Sequence, residues 1–166
     1  MEFFDVINSR RSVRQYTSEP VPRAVLDRIV QAGIEAPTGC NAQFKQYIIV
    51  DDPAVMAKLD SVSKAMTGAT AAVVLVVDPK PTPHGEFWQQ DAAAAMENML
   101  LAIVALGYAG CWIEGAIRRQ ESYVKGVLGV PEALRVIALT PVGKPAVAAK
   151  RPEKPQFKDV VRYNRF

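Results

Sequence analysis

Apolar runs of strand length alternate with helical stretches along this chain, which predicts an α/β or α+β domain built around one central sheet. Two uninterrupted runs carry the strand expectation: Tyr47-Ile48-Ile49-Val50, and residues 72–77, Ala-Val-Val-Leu-Val-Val. The second has no polar face, as expected of a strand covered on both sides. Helical spacing of Val25, Leu26, Ile29, Val30 and Gly33, and a long alanine-rich stretch at 87–106, supply the helices.

Taken in order, a short helix is expected over 2–8, ending at an arginine cluster. Thr17-Ser18-Glu19-Pro20 reads as the opening of a second helix, which stops before the turn-forming loop Ala36-Pro37-Thr38-Gly39-Cys40-Asn41. After the strand at 47–50, Asp51-Asp52-Pro53 provides an acidic cap and an early proline for a third helix. Three prolines between Asp78 and Gly85 forbid regular structure between the second strand and the alanine-rich helix. Residues 107–113 read as a turn leading into a strand; a helix follows near 120–128 and a last strand at 135–139. The tail, 143–166, is basic and proline-bearing and carries Phe157, Tyr163 and Phe166, apolar anchors without a core of their own. That pattern suggests packing on a partner subunit.

At 166 residues the chain is one domain of ordinary size, without an internal repeat or linker. Its hydrophobic fraction of 49% and charged fraction of 22% describe a globular protein. A net charge of +3 does not argue for a nucleic-acid partner. The first residues lack a secretory pattern, and the most apolar stretch, 92–106, is broken by Glu97 and Asn98 and too short for a bilayer. Cys40 and Cys111 show no metal or redox spacing, which suggests reduced thiols in a cytoplasmic protein.

Ser9-Arg10-Arg11-Ser12-Val13-Arg14-Gln15-Tyr16 places three arginines and two serine hydroxyls in six positions, 9–14. Guanidinium forks match phosphate or carboxylate, so the segment reads as an anion site or as a solvated basic turn closing the first helix. Other chemistries lack their residues. The single histidine, His84, sits in the proline-rich loop, which disfavours a Ser-His-Asp triad and a histidine metal centre. No P-loop occurs, and the glycines at 107, 110 and 115 do not form a dinucleotide fingerprint. With so few protein acids and bases in evident arrangement, either the chain is not an enzyme or a cofactor carries the chemistry.

Arg10-Arg11-Ser12-Val13-Arg14 after a short helix resembles the opening flavin motif of the nitroreductase family. Four further segments resemble that family in order: residues 36–43, the helix stretch 91–102, residues 106–115, and Val142-Gly143-Lys144-Pro145 with the 157–166 tail. One departure lies at Phe44-Lys45-Gln46, where the family often has a proline and an aromatic.

The resemblance implies a central mixed sheet flanked by helices, an intertwined homodimer with the tail packing on the partner subunit, and FMN bound at the interface. By position it assigns Arg10, Arg11, Ser12 and Arg14 to the phosphate, ribityl chain and pyrimidine edge. Pro37, Thr38, Gly39 and Asn41 would reach the flavin of the other subunit, and Ile113, Glu114 and Gly115 would lie by the ring. Lys150 and Arg151 are candidate phosphate partners, with Lys144, Arg162 and Arg165 as competitors. Cys111 and Trp112 read as core, and Cys40 as a buried thiol, with contact to the pocket from the flavin loop as the alternative. The implied activity is transfer of hydride from NADH or NADPH, by ping-pong turnover, to a small-molecule acceptor such as a nitroaromatic or quinone. Without a large insertion after the second strand, the pocket is expected to be open and bordered by His84, Phe87 and Trp88. A flavin- or nucleotide-binding module without turnover, flavin fragmentation and reductive dehalogenation are the rival readings. Neither nucleic acid nor membrane is expected as a partner.

Overall fold

The computed structural model describes residues 2–80, 82 and 85–166; the expected pocket position of His84 lies outside the described residues. The fold is organised by β2 (Ala71–Val77), all seven residues of which are buried. It pairs antiparallel with β1 (Lys45–Val50) on one edge and β3 (Arg135–Val142) on the other, giving the order β1-β2-β3. Alternation along a strand sends its side chains to opposite faces. Ala71, Val73, Leu75 and Val77 join the core formed with α2 (Arg23–Ile34) and α4 (Trp88–Ala105). Ala72, Val74 and Val76 join a second core with α3 (Pro53–Asp60), α5 (Gly115–Arg119) and α6 (Glu121–Leu128). An all-apolar strand is thus satisfied by helices on both faces.

Close packing of α2 on α4 depends on Gly33, where a Cβ would stand 2.9 Å from Met99 Cγ. Asn98 Nδ2 donates to Ala32 O at 3.1 Å across the same contact. The third helix starts as expected: Asp52 Oδ1 accepts from the N–H groups of Ala54 and Val55, with Pro53 in the first turn.

The remaining edge of β3 is lined by chain that forms single bridges. Ala109 pairs with Gly143 and Ile113 with Leu139, one antiparallel register along β3. Ser12 bridges onto this segment at Gly110 and Gln15 bridges Thr67, both parallel, so among the described residues parallel pairing is confined to isolated bridges. The strand expected after residue 107 is therefore a bridged extended segment. The second helix also begins later than expected, at Arg23. Residues 17–20 are tied down as irregular chain instead, with Ser18 at a left-handed φ of 63°, by Thr17 N–H to Lys144 O and Ser18 N–H to Gly68 O, and Pro20 and Pro22 have no N–H to donate. The last strand runs three residues further than expected, to Val142, and α5 has no expected counterpart. α1 (Phe3–Ser9) ends at Arg10, and the tail carries only a four-residue helix, α7 (Phe157–Val160).

Glu121 ties α6 to β3. It accepts from Arg135 Nε and Nη2, both at 2.9 Å, and from the Val136 N–H at 3.0 Å. The Arg135 hydrogen bond foremost, then the Val136 N–H, holds the carboxyl below the usual glutamate value of 4.5. A depressed folded-state pKa contributes stability that is complete above the unfolded value and is lost as pH falls through the folded one. Denaturant titrations below pH 4.5 should therefore show a falling stability whose slope is reduced in Glu121→Gln; equal slopes would remove Glu121 from the acid response.

Candidate functional site

The arginine cluster sits at the junction of α1 and the bridged segment. Val13 N–H donates to Gly110 O at 3.0 Å, fixing the run against residues 109–113. Tyr16 closes it from behind: its hydroxyl donates to Val13 O at 2.5 Å and lies 3.9 Å from the Cys111 Sγ. Burial pushes the Tyr16 phenol well above its ordinary value, so it remains a donor. The ring packs on Gly143, where a Cβ would lie 3.0 Å from it.

With Tyr16 turned inward, the basic side chains face a cavity of about 520 Å³. Arg10, Arg11, Ser12 and Arg14 line it, and the tail returns to add Lys150, Arg151 and Lys154, with no carboxylate among the lining residues. Of the competing tail cations, Lys144 is committed elsewhere: it bonds Gly107 O at 2.7 Å and sits 4.0 Å over the Tyr108 ring. Arg162 folds back onto carbonyls of its own segment, from Lys158, Asp159 and Val161, and Arg165 does not line the cradle. Arg10 forms an ion pair with Glu97 of α4, Nε to Oε1 3.4 Å.

A second cavity, about 440 Å³, opens further along α4. Its walls include Trp88, Trp112, Glu114, Arg118 and Ile137. Ile137 is the extra residue where the β2–β3 register shifts, Leu75 facing Ala138 and Val76 facing Val136, so a bulge aims it into the cavity. Trp112 is only partly buried, and its Nε1 is enclosed without a hydrogen-bond partner among the described residues. Ile113 is buried in its bridge to Leu139, while Gly115 opens α5 at the surface. Phe87, expected as a border of this pocket, packs on Gly39 instead.

The two cavities lie along one line. Gln89 and Ala93 line the second, and Glu97, paired with Arg10, stands at the first. These positions are spaced i, i+4, i+8, one stripe of α4 spanning roughly 12 Å. The segment from Gly110, bridged to Ser12, to Glu114 in the second cavity covers the same interval, at most about 14 Å of extended chain. A cationic cradle beside Glu97 and a cavity with an aromatic end at Gln89 and Ala93 thus border one stripe of α4, two parts of a trough. It suits an elongated ligand with an anionic terminus and a planar head.

Pro37, Thr38, Gly39 and Asn41 are not in that trough. Their loop packs against the N-terminal turns of α4, where both carboxylate oxygens of the buried Asp91 accept from the Gly39 N–H at 3.1 and 3.0 Å. A Cβ on Gly39 would meet the Phe87 ring at 2.6 Å. From β1, Lys45 Nζ donates to Ala36 O at 3.1 Å. Cys40 and Asn41 both adopt left-handed φ, 56° and 54°. The expectation of a buried Cys40 thiol fails because this turn faces its side chain outward; Cys111 is buried as expected. Thr38 Oγ1 is enclosed without a partner among the described residues. The motif spacing had no way to identify Asp91 and Lys45 as the groups that hold this loop.

Among the described residues no group of three His, Cys, Asp or Glu side chains could hold a metal, and no helix is long and apolar enough to cross a membrane. The profile of the nitroreductase family matches residues 7–68 and 63–144. A protein of Archaeoglobus fulgidus named "Putative NADH dehydrogenase/NAD(P)H nitroreductase" is 31% identical over 150 residues, covering 87% of this chain and 86% of its own. A nitroreductase from Bacteroides fragilis, solved with bound FMN, superposes with a TM-score of 0.80 at 25% identity, covering 99% of this chain and 100% of its own. An iodotyrosine deiodinase of Haliscomenobacter hydrossis is 24% identical over 186 residues, covering 92% of this chain and 83% of its own. Motif order, trough and matches agree, and the chain belongs to the nitroreductase family.

Proposed function

We propose that this protein is an FMN-dependent oxidoreductase that takes reducing equivalents from NADH or NADPH and passes them to small acceptors such as nitroaromatics or quinones. The observation that carries the reading is the alignment of cradle and aromatic cavity along Gln89, Ala93 and Glu97. FMN has the matching parts, and when bound it supplies hydride acceptance and donation that no side chain here offers. Arg10, Arg11, Lys150 and Arg151 neutralise the phosphate, Ser12 adds a hydroxyl, and Arg14 supports negative charge on the ring system. Glu114, with Ile113 and Gly115 next to it in the chain, stands beside the ring, and Trp112 closes the end.

The site is completed by a second copy of the chain. Gly39 is held on the Phe87 and Asp91 side of α4, roughly 160° around the helix from the Ala93 stripe, so one copy's loop cannot face its own trough. A second copy also has a surface to meet. Phe3, Phe4 and Ile7 are exposed on α1, and a groove of about 460 Å³ runs between α1, α2 and α4 beside Leu101 and Ala105. Phe157, Val160, Tyr163 and Phe166 of the tail are likewise exposed.

A second reading within this site is reductive dehalogenation of a phenol, favoured by the iodotyrosine deiodinase match. Steady-state turnover with nitroaromatics, quinones and halophenols side by side decides between the two.

Purified protein should be yellow, release FMN on denaturation and bleach anaerobically with NADH or NADPH; a flavin that stays oxidised with both would sink the oxidoreductase assignment. Arg10→Ala should weaken FMN retention about tenfold or more, as for loss of a charge-assisted phosphate contact. Glu97→Gln, which releases Arg10 from a half-exposed carboxylate, should tighten it by a few-fold. Arg14→Ala should make the flavin harder to reduce, read as a lower midpoint potential. Sedimentation should give a dimer, and Leu101→Arg should shift it toward monomer with parallel loss of FMN; a monomeric wild type that binds FMN would remove the shared site.

A further inference from the structure

We propose that Asp91 and Lys45 are positioning residues that hold the 36–41 loop in its binding conformation and so set cofactor affinity without touching the cofactor. The inference rests on the flavin reading above and extends it to residues outside the trough.

The two side chains come from different elements, α4 and β1, carry opposite charge, and grip main-chain atoms three residues apart. Lys45 Nζ donates to Ala36 O at 3.1 Å, and Asp91 accepts from the Gly39 N–H through both oxygens. Asp91 is only 7% exposed, and both oxygens are directed at one amide. A buried charge is costly unless it is hydrogen-bonded, so the geometry of this amide is fixed firmly. The first turn of α4, with its unpaired N–H groups, adds a favourable field for the carboxylate.

What the clamp holds is a strained turn. Consecutive left-handed residues, Cys40 and Asn41, are uncommon for side chains with a Cβ and persist only where their surroundings impose them. Gly39 gives way to the Phe87 ring at a distance no other residue permits. With Gly39 N–H drawn inward and Ala36 O fastened, the backbone on both sides of Thr38 is fixed, and Gln43 Nε2 holds the Asn41 side-chain oxygen at 2.9 Å. Loss of either anchor would release a loop that must then be re-ordered on binding, which lowers affinity. The departure at Phe44-Lys45-Gln46 thus acquires a role, since Lys45 is one of the two anchors.

The test measures FMN dissociation constants on the assembled protein, with amide hydrogen exchange of Gly39 on the FMN-free form. Asp91→Ala should raise the FMN dissociation constant roughly tenfold or more and remove Gly39 protection. Asp91→Asn keeps a carbonyl acceptor and should recover most of both. Lys45→Met should show a smaller loss that Lys45→Arg restores. An Asp91→Ala protein that keeps the wild-type melting temperature and loses Gly39 protection, yet binds FMN as tightly as wild type, overturns the positioning role alone. Gly39 protection that survives in Asp91→Ala overturns the clamp itself. Wild-type protein that takes up no FMN overturns the flavin reading instead, while its Gly39 exchange still reports on the clamp.

Discussion

Seven consecutive buried apolar residues in β2 set the terms for everything else in this chain. A strand with no polar face must be covered twice, and the coverage decides where α4 lies. Packed on the Val73 and Leu75 face through Met96, Met99 and Ile103, α4 turns its other stripe, Gln89, Ala93 and Glu97, toward the trough. The candidate site is therefore a by-product of core geometry: the helix that closes one hydrophobic face also supplies the stripe that both cavities border.

The second constraint is the unpaired edge of β3. Residues 109–113 occupy it in a single register, and Ser12 and Val13 pair onto that segment in turn. Each layer is short, but the order matters electrostatically. It brings three arginines of the first motif beside Lys150, Arg151 and Lys154 of the tail, residues that are far apart in sequence. Six cations around a cavity without a lining carboxylate repel one another, a repulsion that a bound anion would relieve. Glu97, reaching Arg10 from α4, offsets part of that repulsion.

Much of this was legible in the residues. β2, the alanine-rich helix and the Asp52-capped helix announce themselves because burial pattern and capping chemistry are local. The arginine cluster was legible as an anion site, but its companions were ambiguous: Lys144, Lys150, Arg151, Arg162 and Arg165 look alike until the tail's path is known. Elsewhere local rules misled. Pro20 resembles a helix start, but hydrogen bonds from Thr17 and a left-handed Ser18 to distant carbonyls hold the segment out of a helix. Cys40 is small and thiol-bearing, as buried residues often are, but a left-handed turn carries it outward. Asp91 and Lys45 were invisible as a pair because they meet across two elements at backbone atoms, which no spacing encodes.

α4 also works as a partition. Positions 87 and 91 fall on one side, where Phe87 and Asp91 hold the 36–41 loop, and positions 89, 93 and 97 fall on the other, where the trough runs. Residues two apart on a helix point roughly 200° apart, so no rotamer change lets one copy's Thr38 and Asn41 reach its own trough. The two motifs have a common ligand only if a second chain brings its loop to the first chain's cradle. On this account the exposed phenylalanines of α1, the groove along α4 and the aromatic tail belong to the chemistry of the site, since a monomer would bind the phosphate end and leave the ring half-covered. If FMN binds as proposed, affinity, assembly and loop geometry form one linked equilibrium, in which whatever orders the loop or joins the chains would also tighten the cofactor.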